Sequence, residues 1–378
     1  MQSLERRVLF HTFTEGADGI VRVVTENTDQ SIHVEMTSTG RYLVTINDIV
    51  TPSSSTFHAS KSFDHDIAGI VIDARGGNDG IFVDSVVHVA VTLRGGSGDD
   101  SLTSLVGGVL EGGDGNDRLG AEGSAATLDG GAGDDTLNGN TANPFATAII
   151  GGAGNDLLDY SFRAARLHIS LDGLANDGAA GEGDNVGSDI ETILGGSNRD
   201  VIVGDDGPNV FLGNGGRDVL VGMGGNDTLS GGNKNDVLIG GLGADQLIGS
   251  AGLSDTVDYS ERTAPLTLTL DGQSNDGEGS EGDTISPTIE NLIGGIGGDF
   301  LLGSGRANGL FGGPGSDTIF AGSGNDTIDG GAGTDEIAGH SGNDTLLILD
   351  GVSDTVSGGS GTDLLDESDP SDVLEAIP

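Results

Sequence analysis

Residues 195–248 read, nine at a time, GGSNRDVIV, GDDGPNVFL, GNGGRDVLV, GMGGNDTLS, GGNKNDVLI and GGLGADQLI. Asp or Asn holds the sixth place in every unit, and the eighth is always Ile, Leu or Phe. A second run starts at Gly294 with GGIGGDFLL, GSGRANGLF, GGPGSDTIF, AGSGNDTID, GGAGTDEIA and GHSGNDTLL. Earlier, more widely separated copies are GGSGDDSLT at 95–103, GGDGNDRLG at 112–120, GGAGDDTLN at 130–138 and GGAGNDLLD at 151–159, and GGSGTDLLD at 358–366 closes the series. A longer period lies over the short one. Residues 156–196 and 255–295 align without a gap at an offset of 99 and share 20 of 41 positions, which indicates an internal duplication.

Each nine divides into six turn-forming and three strand-forming residues. Gly at places one, two and four permits positive φ and close approach of carbonyls. The eighth place points inward from a short strand, as at Leu102, Leu119, Leu137, Leu158, Ile202, Leu220, Leu229, Leu238, Leu247, Ile319, Ile328 and Leu346. Two nines make one 18-residue coil. Coils stacked at about 4.8 Å superimpose each sixth-place Asp on its counterpart two units further on. Asp200, Asp218 and Asp236 then line one edge, and Asp227 and Asp245, headed by Asn209, line the other.

Carboxylates ranked this closely cannot all stay ionised unless divalent cations sit between them. Ligands of carboxylate and turn carbonyl are hard oxygens, which select Ca²⁺, and a flexible cage disfavours Mg²⁺. The candidate ligands are Asp100, Asp117, Asp135, Asp156, Asp200, Asp218, Asp227, Asp236, Asp245, Asp299, Asp317, Asp326, Asp335, Asp344 and Asp363. Counting one ion per pair of successive turns on an edge, the two later arrays hold roughly five ions each, roughly ten in all. Two inward side chains per coil cannot offset the ordering of so much backbone. Cation binding and folding are therefore expected to be one event.

The pattern GGxGxDxUx resembles the nonapeptides of hemolysin-type, or RTX, calcium-binding proteins. The resemblance implies an all-β fold, a parallel β-roll or β-helix solenoid with Ca²⁺ between adjacent turns. It also implies a bacterial, secreted, extracellular protein, commonly exported by a type I system and folding in millimolar Ca²⁺. Departures from the pattern predict weak turns: Asn198, Lys234 and Arg306 displace a fourth-place Gly, Asn209 and Asn308 replace the carboxylate, and Asp255 and Asp354 are shifted by one residue. Residues 104–111, 121–129 and 139–150 lack the sixth-place acid.

Composition sets the bounds. The chain has 378 residues, 71 of them Gly, with 60 acidic and 15 basic side chains and a formal net charge of −45. Hydrophobic residues make up 34% and aromatic ones 4%, too few for a thick core. The charge repels phosphate backbones and anionic lipid heads, so cations are expected partners and nucleic acid is not. Cys is absent, which excludes disulfides and thiolate metal sites. No apolar stretch is long enough to span a membrane as a helix.

The expected organisation is a β-rich N-terminal cap or module at 1–94, an interrupted array at 95–159, an acidic insert at 160–194, a second array at 195–257, a second insert at 258–293, a third array at 294–366 and an acidic tail at 367–378. The N-terminal stretch alternates apolar and polar residues, and ARGGNDGIF at 74–82 is a near-repeat, so its strands are expected to run into the roll and cap it. In the inserts Asp172, Asn176, Asp177, Glu182 and Asp184 match Asp271, Asn275, Asp276, Glu281 and Asp283; either extra Ca²⁺ sites or solvated loops fit them. Tyr160 and Tyr259 read as core anchors.

No HExxH, GxSxG or P-loop occurs, and the seven His are scattered singly, His65 between two Asp being the most suggestive. A non-enzymatic role is expected. The third places carry no file of Thr, which disfavours the ice binding known for some family members. The leading expectation is a secreted calcium-binding β-roll of structural or cell-surface role, and the alternative is a polysaccharide-binding or adhesive module.

Overall fold

The computed structural model describes residues 12–25, 28–48, 58–63, 67–139, 145–279, 281–366, 370 and 372–375. Every regular element among them is a β-strand. The chain forms two compact units, residues 1–163 with 168–194, and residues 164–167 with 195–378. Each is a parallel β-solenoid, as the nonapeptide period requires. His65 and residues 140–144 lie outside the described residues.

In the first unit, Ile20–Val24, Gly69–Asp73, Ala90–Ser97, Gly108–Asp114, Ala126–Ala132 and Thr147–Ala153 form one parallel sheet. Gln30–Met36, Gly80–Val83, Ser101–Ser104, Arg118–Ala121, Thr136–Asn138, Leu157–Asp159 and Thr192–Leu194 form the other. The inner faces are single files of aliphatic side chains. Ile72, Leu93, Leu110, Leu128 and Ile149 pair in register and are 0% exposed, and so are Leu102, Leu119, Leu137 and Leu158 opposite them. The stretches without a sixth-place acid therefore still supply a strand, and what they lack is the turn carboxylate.

Parallel coils begin well before residue 95, because Ile20–Val24 and Gln30–Met36 already pair parallel with the strands that follow them. Antiparallel strands close this end: Thr12–Glu15 lies on Ile20–Val24, while Tyr42–Asp48 and His58–Phe63 continue from Gln30–Met36 as a meander. Antiparallel pairing occupies sheet edges that would otherwise offer free donors and acceptors to another chain.

The second unit repeats the arrangement with a cleaner 18-residue step, for example Val219↔Val237 and Thr228↔Gln246. One inner file runs Ile202, Leu220, Leu238, Val257, Leu292, Leu310, Ile328 and Leu346, each 0% exposed. On the opposite sheet Phe211, Leu229, Leu247 and Ile285 form a second file. The second insert splices that sheet: Ser274–Glu278 pairs antiparallel with Asp283–Ile285 on one side and with Leu266–Thr269 on the other. Leu266–Thr269 then pairs parallel with Phe300–Leu302, so the period resumes in register. In the tail, Val373–Glu375 adds a parallel strand beside Thr355–Ser357.

The glycines divide by task. Second-place Gly241 and fourth-place Gly243 have φ of +102° and +127°, in the left-handed region. First-place Gly is absent from that region, so its requirement is space rather than φ. Asn214, Met223, Ser250 and His340 hold second places in the same conformation, and Lys234 adopts it at a fourth place, whereas Asp205 and Ser304 at second places do not. Such a φ costs an L-residue about 1–2 kcal/mol. Met223→Gly should therefore raise the stability of the Ca²⁺-loaded chain by roughly 1 kcal/mol, after the backbone entropy of Gly is subtracted. Leu229→Ala should lower it by about 2–5 kcal/mol. Thermal melts followed by circular dichroism measure both.

Candidate metal centre

Each turn contributes a carboxylate that the stacking of coils buries. Along one edge of the first unit, the backbone N–H of Asp79 donates to Asp100 Oδ1 at 2.7 Å, Asp100 to Asp117 at 2.7 Å, Asp117 to Asp135 at 2.7 Å and Asp135 to Asp156 at 2.8 Å. Glu191 Oε2 takes the N–H of Asp156 at 2.8 Å and ends the column.

The second unit carries such columns on both edges. One runs from Asp200 through Asp218 and Asp236 to Asp255, with links of 2.7, 2.8 and 2.9 Å. The other runs from Asn209 through Asp227 and Asp245 to Asp283 at 2.8, 2.9 and 2.9 Å. Further along, Asp299, Asp317, Asp335 and Asp354 form a third column, and Asn308, Asp326, Asp344 and Asp363 a fourth.

One oxygen of each carboxylate is thus fixed by a backbone donor, and the other decides the chemistry. Oδ2 is buried and accepts no hydrogen bond in Asp100, Asp117, Asp135, Asp156, Asp218, Asp227, Asp236, Asp245, Asp317, Asp326, Asp335, Asp344 and Asp363. These are all the expected ligands except Asp200 and Asp299. Each of those two opens an array, and its Oδ2 accepts the N–H of its own turn, from Gly196 at 2.7 Å and Gly295 at 2.6 Å. Asn209 and Asn308 behave alike: their Oδ1 atoms accept Asp205 N–H at 3.1 Å and Ser304 N–H at 2.8 Å.

The orphan oxygens face other oxygens. A Cβ added at Gly222 would overlap both Asp227 Oδ2 and the carbonyl oxygen of Gly240 in the next coil; Gly112 sits in the same way between Asp117 Oδ2 and Gly130 O, and Gly312 between Asp317 Oδ2 and Gly330 O. Carboxylate and carbonyl converge on the space that a Cβ would take at these first-place glycines. Among the described residues, no group of three or more His, Cys, Asp or Glu side chains converges on one point. A cation shell here is built from a carboxylate and turn carbonyls, the donor set of Ca²⁺. The residues present fit that ion.

Electrostatics agree with this. Burial pushes Asp117, Asp218 and Asp317 up to about 7, and neighbouring carboxylates in the column add to the rise while the ladder N–H opposes it. Asp100, Asp156, Asp227, Asp236, Asp245 and Asp326 are raised to about 6, burial again being the largest cause.

Some members of the columns lie outside the expected set. Asp255 and Asp354 hold column positions despite their one-residue displacement, because the pairing register shifts by the same residue, as in Val237↔Thr256. Asp255 Oδ2 is also an orphan, and burial raises both groups to about 6. Asp79 was signalled only by the near-repeat at 74–82. A second, exposed ladder of fifth-place residues went unread and runs the opposite way: Asn116 N–H donates to Asp99 Oδ1 and Asp134 N–H to Asn116 Oδ1.

Of the insert acids, Asp172 and Asp271 are exposed, while Asp177, Asp184, Asp276 and Asp283 are buried and hydrogen-bonded. Asp177 accepts the N–H groups of Ser170 and Val186, and Asp276 those of Thr269 and Ile285. Asp184 Oδ2 accepts the hydroxyl of Tyr160 at 2.9 Å, and Asp283 Oδ2 that of Tyr259 at 2.6 Å. Arg163 pairs with Glu182 and Arg262 with Glu281.

Column carboxyls such as Asp117 and Asp227 hold their protons more tightly in the fold than in the unfolded chain. Without metal, folding is therefore weakest above pH 7 and gains as pH falls through 7 to 6 toward the unfolded value near 4. In EDTA the β signal in circular dichroism should be larger at pH 5 than at pH 8. In Ca²⁺ the order reverses, since protons compete for the same oxygens.

A sequence profile described as "RTX calcium-binding nonapeptide repeat (4 copies)" matches residues 91–107, 111–145, 148–161, 187–220, 194–229, 221–253 and 311–346. No curated protein matches the chain. Among solved structures, the X-ray crystal structure of a hyperactive, Ca²⁺-dependent, β-helical antifreeze protein from an Antarctic bacterium is similar at 17% identity over 79% of this chain and 78% of that one, with a TM-score of 0.19. The matched segments carry most of the column carboxylates, and over them the chain is built of RTX calcium-binding nonapeptide repeats.

Proposed function

We propose that this chain is a secreted calcium-binding β-roll whose folding is driven by ions held between successive turns, with a structural or cell-surface role rather than a catalytic one. The observation that carries the reading is a file of buried Asp Oδ2 atoms along each edge of the second unit, each atom without a protein donor. Roughly ten ions would supply about twenty positive charges to a chain of formal charge −45. Proteins with repeats of this family are typically secreted, and the millimolar Ca²⁺ outside cells suits sites at the weak end of the affinity range. Far-UV circular dichroism of EDTA-stripped protein tests the reading. Ca²⁺ up to a few millimolar should induce the β signal cooperatively while Mg²⁺ does not; a β signal complete in EDTA and indifferent to Ca²⁺ would sink it.

One surface supports a second reading, that the roll also binds an acidic polysaccharide. On the second unit Arg166, Arg199 and Arg217 each stand one residue before Leu167, Asp200 and Asp218, which follow one another along the column, and Lys234 stands two before Asp236 in the next coil. All four are exposed, and the turn positions beside them are Ala, Ser, Asn and Gly. Asparagine amides tie these coils together, Asn198 to Ala164 O at 2.8 Å and Asn233 to Asn214 O at 3.1 Å. Four cations in successive coils of so acidic a chain suit a linear polyanion. Neutralising Arg199, Arg217 and Lys234 to Gln together should weaken binding to a heparin-coated sensor in Ca²⁺ by roughly tenfold or more, with the Ca²⁺-induced fold unchanged. Equal binding by both proteins would reject this reading alone.

A further inference from the structure

Among the described residues, the duplicated inserts hold the most deeply buried arginine and lysine side chains. Arg163 and Arg262 stand 99 residues apart, and their side chains are 3% and 13% exposed in a protein whose other cations lie mostly at the surface. Their positions follow from the repeat. The turn Gly240–Asp245 is the last nonapeptide turn before the second insert on its edge, and the chain that would have stacked the next turn upon it instead contributes Arg262 and the 276–283 loop. Arg262 Nη1 donates to the carbonyl oxygen of Gly241 at 2.8 Å, a second-place carbonyl of that turn. Its Nη2 binds Glu281 and lies 3.5 Å from Glu278.

The acids around it are column acids or their neighbours. Glu281 Oε1 accepts the N–H of Gly243, at the fourth place of the same turn, at 3.1 Å. Asp283 takes the column position beyond Asp245, yet unlike Asp227 and Asp245 its Oδ2 is engaged, by the Tyr259 hydroxyl. The charge of Arg262 opposes the rise in pKa of Asp245. A guanidinium thus does at this end of the column what the spacing elsewhere asks of a cation: it binds a turn carbonyl and neutralises the carboxylates around it. In the first insert Arg163 likewise pairs with the matching acid, Glu182, and lies 5.0 Å from the ring centre of Tyr160, whose hydroxyl binds Asp184.

We propose that Arg262 is the chain's own cation at the end of this column, standing where a Ca²⁺ would otherwise bind between the Gly240–Asp245 turn and the insert loop. The proposal rests on the calcium reading above and adds where the file of ions stops. Arginine suits the task because it keeps its charge when buried and its fork reaches a carbonyl and a carboxylate together. Supplied by the chain, it needs no external metal, so the insert can close over the turn with its charge already balanced.

The test is a difference between variants and wild type, measured on the full chain in Ca²⁺. In Arg262→Gln the number of Ca²⁺ ions bound at saturation, counted by equilibrium dialysis with elemental analysis, should rise by one per chain. With Tb³⁺ as probe, the same variant should gain emission excited through tyrosine, because the new site adjoins Tyr259, and the added Tyr259→Phe change should remove that gain. Arg262→Lys keeps the charge and should bind the wild-type number of ions. A folded Arg262→Gln protein with the wild-type ion number and no Tyr259-dependent emission overturns the proposal, and so does an extra ion in Arg262→Lys. Failure of Arg262→Gln to fold at any Ca²⁺ concentration also overturns it, since the metal then does not take the place of the side chain. Wild-type protein that binds no Ca²⁺ removes the calcium reading itself, and that failure is recognised in the wild-type arm before any variant is compared.

Discussion

Everything in this molecule depends on how one carboxylate is shared. A sixth-place Asp gives Oδ1 to a backbone N–H of the preceding coil and leaves Oδ2 buried beside a carbonyl. The first contact sets the register of the stack, because it joins the same place in successive coils. The second creates a deficit of positive charge that the protein does not fill within the repeat. A buried acceptor without a donor, next to further carboxylates, is costly in a low-dielectric setting. Structure and ligand demand thus come from the two oxygens of one side chain.

The glycines follow from the same geometry. Many second and fourth places turn the backbone through the left-handed region, which packs carbonyls of adjacent coils against each other, while at first places such as Gly112, Gly222 and Gly312 the carboxylate and the next carbonyl occupy the space of a Cβ. The hydrophobic contribution is correspondingly thin, one aliphatic file per sheet. A roll of this kind has little cooperativity to spare when its turns repel one another. A cation between the turns would relieve that repulsion, which is the physical ground of the proposed linkage between cation binding and folding.

Where the repeat stops, the chain settles its charges internally. Asp200 and Asp299, at the first turns of their arrays, close on their own backbone N–H groups, and the insert acids are bound by backbone donors, tyrosine hydroxyls or arginine. The ends of the columns are thus chemically distinct from their interiors. The turns that open the second and third arrays have a donor of their own, whereas the turns that follow them in their columns do not.

The sequence by itself determined the class of fold, the 18-residue coil, the inward file and nearly all the carboxylates of the columns, since each is a fixed place in a nine-residue period whose physics is local. It also marked the duplicated inserts as a unit. Tertiary structure decided which carboxylates keep an oxygen to offer: Asp227 and Asp200 share one place in the pattern, yet only the second has a donor from its own turn. It likewise decided that Asp255 and Asp354 rejoin their columns, because a one-residue excess can be absorbed in a turn while the strand register follows it. The pairing of Arg262 with a turn carbonyl some 20 residues upstream lay beyond any local pattern, for it exists only once the insert folds back over the column.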